Sequence, residues 1–260
     1  MSGKLINLYF SPTGSSRETG EIIVDAISSG LGLERVEANF TLPRHRDNDL
    51  RLGEDDILVL SFPVYSGRMP QVLAQALATR IHSVGARTIV IAVYGNRAFD
   101  DALIEARDIL AEKGCDVIGA IASIAQHSFD PSIGAGRPDN ADKEKLGEFS
   151  AQILRKIKSG DRSTPSIPGS RPYRVPKPTP PIVPYTDDSC DYCGVCVAVC
   201  PVAAIDPEDE HKTDKKCILC AACVKYCPQS ARSLPTEFLT AVRSMLSKLA
   251  TSRREPELFI

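Results

Sequence analysis

The chain has 260 residues and a formal net charge of −2 at pH 7, with 43% of residues hydrophobic and 25% charged. This is the balance of an ordinary globular protein, without the basic excess that nucleic acid binding demands. No apolar run is long enough to cross a bilayer and the N-terminus carries no signal-peptide pattern, so a cytoplasmic protein is expected. The length suits one domain of about 150 residues followed by a small module.

From residue 4 to about residue 160, β-branched apolar runs alternate with helical periods, the pattern of an α/β domain on a parallel sheet. The runs 5–10, 33–38, 57–62, 88–93 and 117–124 are predicted as its five strands. Ile23, Ala26 and Ile27, then Val72, Leu73 and Leu77, then Leu103, Ala106, Ile109 and Leu110 recur at helical spacing and are predicted as covering helices. A further helix is predicted at 143–158, where Leu146, Phe149, Ile153 and Ile157 form a stripe ahead of Gly160.

Directly after the first run come Ser11, Pro12, Thr13, Gly14, Ser15 and Ser16. Hydroxyls, backbone N–H groups opened by glycine and the positive end of a helix suit a phosphate there, although Ser and Thr are equally ordinary N-caps. The segment is neither a Walker loop nor a Gly-x-Gly-x-x-Gly run. Ligands of open doubly wound sheets bind beyond the C-terminal strand ends. The third run exits into Pro63, Val64, Tyr65, Ser66 and Gly67, and the fourth into Tyr94, Gly95, Asn96, Arg97, Phe99 and Asp100. Tyr65, with Tyr94 or Phe99, offers a face to a flat ring. Asp100 and Asp101 also read as caps of the next helix. His127, after the fifth run, reads either as structural or as a donor to the ring. Cys115, at the opposite end of the sheet, reads as a small buried hydrophobe.

Residues 161–184 form a proline-rich linker, either extended or wrapped over a domain, whose Arg162, Arg171, Arg174 and Lys177 read as solubilising charges. Eight of the nine cysteines follow within 185–235. Cys190, Cys193, Cys196 and Cys200 precede Pro201, and Cys217, Cys220, Cys223 and Cys227 precede Pro228, two copies of one run. This spacing holds two [4Fe–4S] clusters, the fourth cysteine of each run ligating the cluster of the other. The expected quartets are Cys190, Cys193, Cys196 and Cys227 for one cluster, and Cys217, Cys220, Cys223 and Cys200 for the second. Zinc sites instead pair their ligands two by two. So small a module has too little core to fold without its metal. Asp187, Asp188, Asp191, Asp206, Glu208, Asp209, Glu210 and Asp214 make it acidic, a field that steers a basic redox partner. Residues 236–260 form a C-terminal helix and tail, the helix carrying an apolar face of Phe238, Val242, Met245 and Leu249 expected to pack on its own chain.

The phrases Ser11-Pro12-Thr13-Gly14, Pro63-Val64-Tyr65-Ser66-Gly67-Arg68-Met69-Pro70, Gly95-Asn96-Arg97-Ala98-Phe99-Asp100-Asp101-Ala102-Leu103 and Ala125-Gln126-His127-Ser128-Phe129 resemble flavodoxins. With the cysteine module, the chain from residue 1 to about 235 resembles the flavodoxin–ferredoxin fusion family of anaerobic bacteria and archaea. The resemblance implies a flavodoxin-like doubly wound five-stranded parallel sheet, order 2-1-3-4-5, over 1–160, and a small α+β bacterial ferredoxin-like domain over 185–235. It implies FMN, with its phosphate in the 11–16 loop and its ring between the 63–68 and 94–100 loops. Ser16 replaces the usual Thr, and the chain has no Trp, which leaves ring stacking to Tyr65. Electron transfer between the clusters, FMN and external redox proteins is the expected function. The alternatives are an FMN-dependent oxidoreductase that reduces a small molecule with electrons fed through the clusters, and a binding or sensory module with structural clusters.

Overall fold

The computed structural model describes residues 3–176, 181–250 and 252–260. Its first domain runs β1 (Lys4–Tyr9), α1 (Ser15–Leu31), β2 (Glu34–Asn39), β3 (Leu50–Leu52), β4 (Ile57–Pro63), α2 (Gln71–Arg80), β5 (Ile81–Ser83), β6 (Arg87–Tyr94), α3 (Ala102–Glu112), β7 (Asp116–Ile124) and α4 (Asn140–Lys158). The cysteine module contributes the short pieces β8 (Tyr185–Thr186), α5 (Val195–Ala198), α6 (Ala222–Lys225) and β9 (Arg232–Ser233), and the chain ends with α7 (Thr236–Leu249) and β10 (Glu257–Phe259).

The five predicted strands are β1, β2, β4, β6 and β7, and they pair in parallel in the order β2-β1-β4-β6-β7. This is the 2-1-3-4-5 order expected. The sheet nevertheless has six strands, because β10 pairs antiparallel with β7 at the edge. Three residues separated from β7 by the whole cysteine module carry too little periodicity to read as a strand of this sheet. The small parallel pair β3 and β5 was likewise invisible in so short a pattern.

Strand residues alternate between two apolar layers, as the two-residue repeat of a strand buried on both faces requires. Leu58, Leu60 and Phe62 of β4 enter the layer with Leu73, Leu77, Leu103 and Leu110. Ile57 and Val59 enter the other, with Ile23, Ile27, Leu146 and Ile153. α4 starts three residues earlier than the predicted 143, because Asp139 and Asp142 form a reciprocal capping box.

The proline-rich linker wraps the first domain. Ile167 is buried in the larger layer. Arg162 donates to the Gly85 carbonyl at 2.6 Å and to Asp116 at 2.7 Å, and Arg171 and Tyr173 share Asp108. The Ser170 and Arg174 amides donate to the two oxygens of Asp101, so this carboxylate clamps the linker and makes no side-chain cap on α3. The arginines therefore dock the linker and are more than solubilising charge; Lys177 lies outside the described residues.

The tail is strapped down at the other end of the chain. Arg253 pairs with Asp139 at 2.6 Å, and the Arg137 guanidinium donates to the Arg254 carbonyl at 2.6 Å. Beneath them Arg137 and Asp142 form a bidentate ion pair, 4% and 0% exposed at the side chains. Removing one partner of a buried pair strands the other's charge, at a cost of about 3–5 kcal/mol. Asp142→Asn should lower stability by roughly that much, read as a shift of the urea midpoint at unchanged slope; a midpoint equal to wild type would show that this pair holds nothing.

Candidate functional site

Two voids lie side by side in the cysteine module. One is lined by Cys190, Cys193, Cys196 and Cys227 with Glu210 and Arg232, the other by Cys200, Cys217, Cys220 and Cys223 with Ile205 and Ile218. Each therefore collects three thiols from one copy of the run and one from the other copy. All eight thiols are free of disulfides.

The backbone shows why the run folds this way. Tyr192 and Gly194 in the first copy, and Leu219 and Ala221 in the second, adopt left-handed conformations with φ of 56°, 72°, 55° and 60°. These bends fold the short inter-cysteine spacers so that three thiols face one point. Each triplet ends in a single helical turn, α5 or α6, and each proline after the fourth cysteine is followed by another left-handed residue, Ala203 or Ser230. Non-glycine residues in this region cost about 1–2 kcal/mol each, which the apolar cluster of Cys196, Cys200, Ala204, Ile205 and Cys223 is too small to repay alone.

The two voids differ in exposure. Cys200, Cys220 and Cys223 are buried, and burial pushes the Cys220 thiol up to about 12. Cys193 is exposed, and Cys190 and Cys227 are half-buried. The enclosed void faces the first domain, where Ile218 packs against the larger apolar layer. Tyr65 is half-buried overall, yet its phenol lies deep; desolvation pushes its pKa well up, and the nearby Cys220 adds to the rise. Arg46 donates to the Pro201 carbonyl at 2.7 Å.

On the first domain, the loops after β1 and β4 flank the point where strand order reverses, the binding crevice of such sheets. Gly14 is left-handed at φ 91° and supplies no side-chain cap to α1, whose first-turn Arg17 amide donates to the Ser11 hydroxyl at 3.0 Å. Ser11, Thr13 and Ser15 are half-buried and Ser16 is buried. Lys225 of α6 donates to the Thr13 carbonyl at 2.7 Å, and the Tyr226 hydroxyl lies 3.4 Å from the place a Gly14 side chain would take. The cysteine module thus brings a cation to the phosphate-type loop, a contribution legible only in three dimensions.

At β4 the chain turns tightly: Tyr65 and Arg68 exchange backbone hydrogen bonds at 2.9 and 3.0 Å, around left-handed Ser66 and Gly67. A side chain at Gly67 would overlap Asp100 and Arg174, so this turn rests directly on the loop after β6. Pro63, Val64 and Tyr65 are half-buried and Ser66 is exposed at this edge.

Several residues predicted to line the ring site are engaged elsewhere. Tyr94 is 3% exposed, with its ring in the core edge-to-face on Phe99, which in turn packs on Phe259 of β10. Asn96 donates to the Ala250 and Ser252 carbonyls and accepts from the Arg254 amide, holding the tail. Asp100 is paired with Arg97 and with Arg174 of the linker. Each depends on a partner distant in sequence. Gly95 backs onto the His127 ring, which accepts from the Phe129 amide at 3.1 Å; Phe129 then packs on Phe238 of α7. Phe238 packs on its own chain as expected, but Met245 and Leu249 of the predicted face stay exposed and the buried residue of α7 is Leu246, beside that face. Cys115 is buried, with its thiol pushed up by burial.

Residues 183–206 match the 4Fe–4S binding domain family. Nothing among curated proteins matches the chain significantly. Among solved structures, an archaeal flavodoxin is 15% identical over 60% of this chain and 99% of its own, with a TM-score of 0.40. Oxidised Flavodoxin 2 from Bacillus cereus is 19% identical over 59% and 99%, TM-score 0.40. Rubredoxin oxygen:oxidoreductase from Desulfovibrio gigas is 12% identical over 60% and 36%, TM-score 0.37. The strand order itself defines the first domain as flavodoxin-like, and the family match makes the second an iron–sulfur module. The chain therefore has the build of a flavodoxin–ferredoxin fusion. Among the described residues no helix is long and apolar enough to cross a membrane.

Burial lowers the His127 pKa from its ordinary 6.5, with Asp130 opposing and Arg97 adding to the shift. A histidine with a depressed folded value contributes stability that is fully present above the unfolded value and is lost as pH falls from there through the lower folded value. Stability should therefore decline as pH drops below about 6.5, and His127→Gln should flatten this part of the profile; identical profiles for both proteins would remove the assignment.

Proposed function

We propose that the chain is an electron-transfer protein in which two [4Fe–4S] clusters exchange electrons with an FMN and with external redox proteins. The observation that carries this reading is the crossed lining of the two voids, three thiols from one run and one from the other, beside a phosphate-type loop. In this reading Cys190, Cys193, Cys196 and Cys227 hold an outer cluster, and Cys217, Cys220, Cys223 and Cys200 an inner one. When bound, the clusters carry single electrons and the flavin one or two, so the fusion links one- and two-electron carriers.

The donor sets fit these groups unequally. Four thiols around each void suit a thiolate-bound cubane. At the flavin site the phosphate end fits: hydroxyls of Ser11, Thr13, Ser15 and Ser16, the uncapped start of α1 and the ammonium of Lys225 all favour a dianion. The ring end falls to Val64, Tyr65, Ser66 and Gly95, because Tyr94, Asn96 and Phe99 are committed to the core and tail, and Arg97 and Asp100 to each other and the linker. Tyr65, with its phenol deep and near Cys220, would help hold the ring and exclude water there.

The geometry also favours an order. The inner quartet abuts the first domain and the outer one reaches solvent at Cys193, so external partners meet the outer cluster and the flavin meets the inner one. Acidic residues around the outer quartet, Asp187, Asp188 and Asp191 among them, fit a partner with a basic face.

Anaerobically purified protein should contain about eight irons and one FMN per chain, measured by metal analysis and by the flavin released on denaturation. Zinc in place of iron would remove the cluster reading; iron without flavin, and no flavin uptake on incubation with FMN, would remove the flavin half. A small organic acceptor reduced at a saturable site by the loaded protein would favour the oxidoreductase reading.

A further inference from the structure

The two copies of the cysteine run align position for position in sequence, and at one buried place they differ in charge. After the fourth cysteine the first copy reads Cys200-Pro201-Val202-Ala203-Ala204-Ile205 and the second Cys227-Pro228-Gln229-Ser230-Ala231-Arg232. Ile205 is 4% exposed and lines the inner void; Arg232, at the matching position, is 2% exposed and lines the outer one. An isoleucine is what a small apolar core would use at both places, so the arginine needs a reason.

Its surroundings supply one. The guanidinium donates to the Thr186 hydroxyl at 2.8 Å, the Glu210 carbonyl at 2.6 Å, the Thr213 hydroxyl at 2.7 Å and the Pro184 carbonyl at 3.5 Å. These partners, described for it, are all neutral oxygens. A buried cation without a bonded anion carries a large desolvation cost. The remaining donor, Nε, is buried and has no partner among the described residues. The groups beside it are thiols: Arg232 lines the outer void with Cys190, Cys193, Cys196 and Cys227, and Cys223 of the inner quartet lies next to it. The other charged groups lining the outer void are the carboxylates of Asp191 and Glu210, so Arg232 is its one cation among the described residues.

We infer that Arg232 is the buried countercharge of the cluster pair, its fixed positive charge and its free Nε–H directed at thiolate-bound clusters. Such clusters are anionic and become more so on reduction, and hydrogen bonds and local charge are among the factors that set their potentials. A cation at this place stabilises the reduced form more than the oxidised one. It also relieves the repulsion between two anions held close together, which the crossed quartets otherwise impose.

The inference rests on the cluster reading above, and the test separates the two. Full-length protein is loaded anaerobically, its iron counted, and its clusters titrated against electrode potential with the reduced signals followed by electron paramagnetic resonance. Arg232→Ile places at this site the residue that the matching position already accommodates, and Arg232→Lys keeps the charge. With iron content unchanged, the isoleucine variant should titrate at clearly lower potential, while the lysine variant stays near wild type. Should the isoleucine variant load incompletely, Arg232→Gln, neutral and polar, takes its place with the same expectation. Neutral variants that titrate with wild type, or a lysine variant that falls as far as they do, would overturn the role of Arg232. A wild-type chain that takes up no iron would overturn the cluster reading itself.

Discussion

The exchange of the fourth cysteine between the two halves of the repeat is the constraint from which the rest follows. Each void is completed by a thiol from the other copy, so neither half can close its own site. In the proposed reading a metal cluster in either void ties both halves together, and metal–sulfur bonds take the place of a hydrophobic core in holding the left-handed spacers around the thiols. In the same reading the exchange holds two anionic clusters close, which makes a buried cation beside them physically reasonable and gives an electron a short path.

The module is then fastened to the first domain at several points unrelated to its metal. Ile218 and Tyr65 lie at one contact, Lys225 and Tyr226 at a second and Arg46 at a third. The linker before the module and the tail after it both return to the first domain, through Asp101 and Asp108 on one side and through Asn96, Asp139 and the sheet edge on the other. Such fastening suits the proposed electron carrier, because transfer depends on distance and a freely swinging module would hold its distance to the first domain only part of the time.

The strands and helices of the first domain were legible because parallel strands buried on both faces must be continuous apolar runs, and amphipathic helices must repeat near 3.6 residues. The cysteine pattern was legible because cluster chemistry restricts the spacing of its ligands. Less could be read where a residue's role depends on a distant partner. Asn96, Asp100 and Asp101 look like ring contacts or helix caps until the tail and the linker are seen to occupy them. Tyr94 and Phe99 have the chemistry to stack on a flavin, but the phase of β6 and the arrival of Phe259 turn them into core. Lys225 and Arg232 were missed for the opposite reason: one cation among Lys212, Lys215, Lys216, Lys225 and Arg232 of the module has no signature of its own, although the isoleucine-to-arginine difference between the repeats was visible and could have drawn attention to Arg232.

The central claim, crossed ligation, can be tested by disabling one site and asking which thiols are freed. Cys190→Ala protein, loaded anaerobically and allowed to lose its weakened cluster, is alkylated with iodoacetamide and mapped by mass spectrometry. The account predicts label on Cys193, Cys196 and Cys227, with Cys200 protected alongside Cys217, Cys220 and Cys223. Label on Cys200 with Cys227 protected would mean that each run keeps its own fourth cysteine, and the account built on their exchange would be wrong.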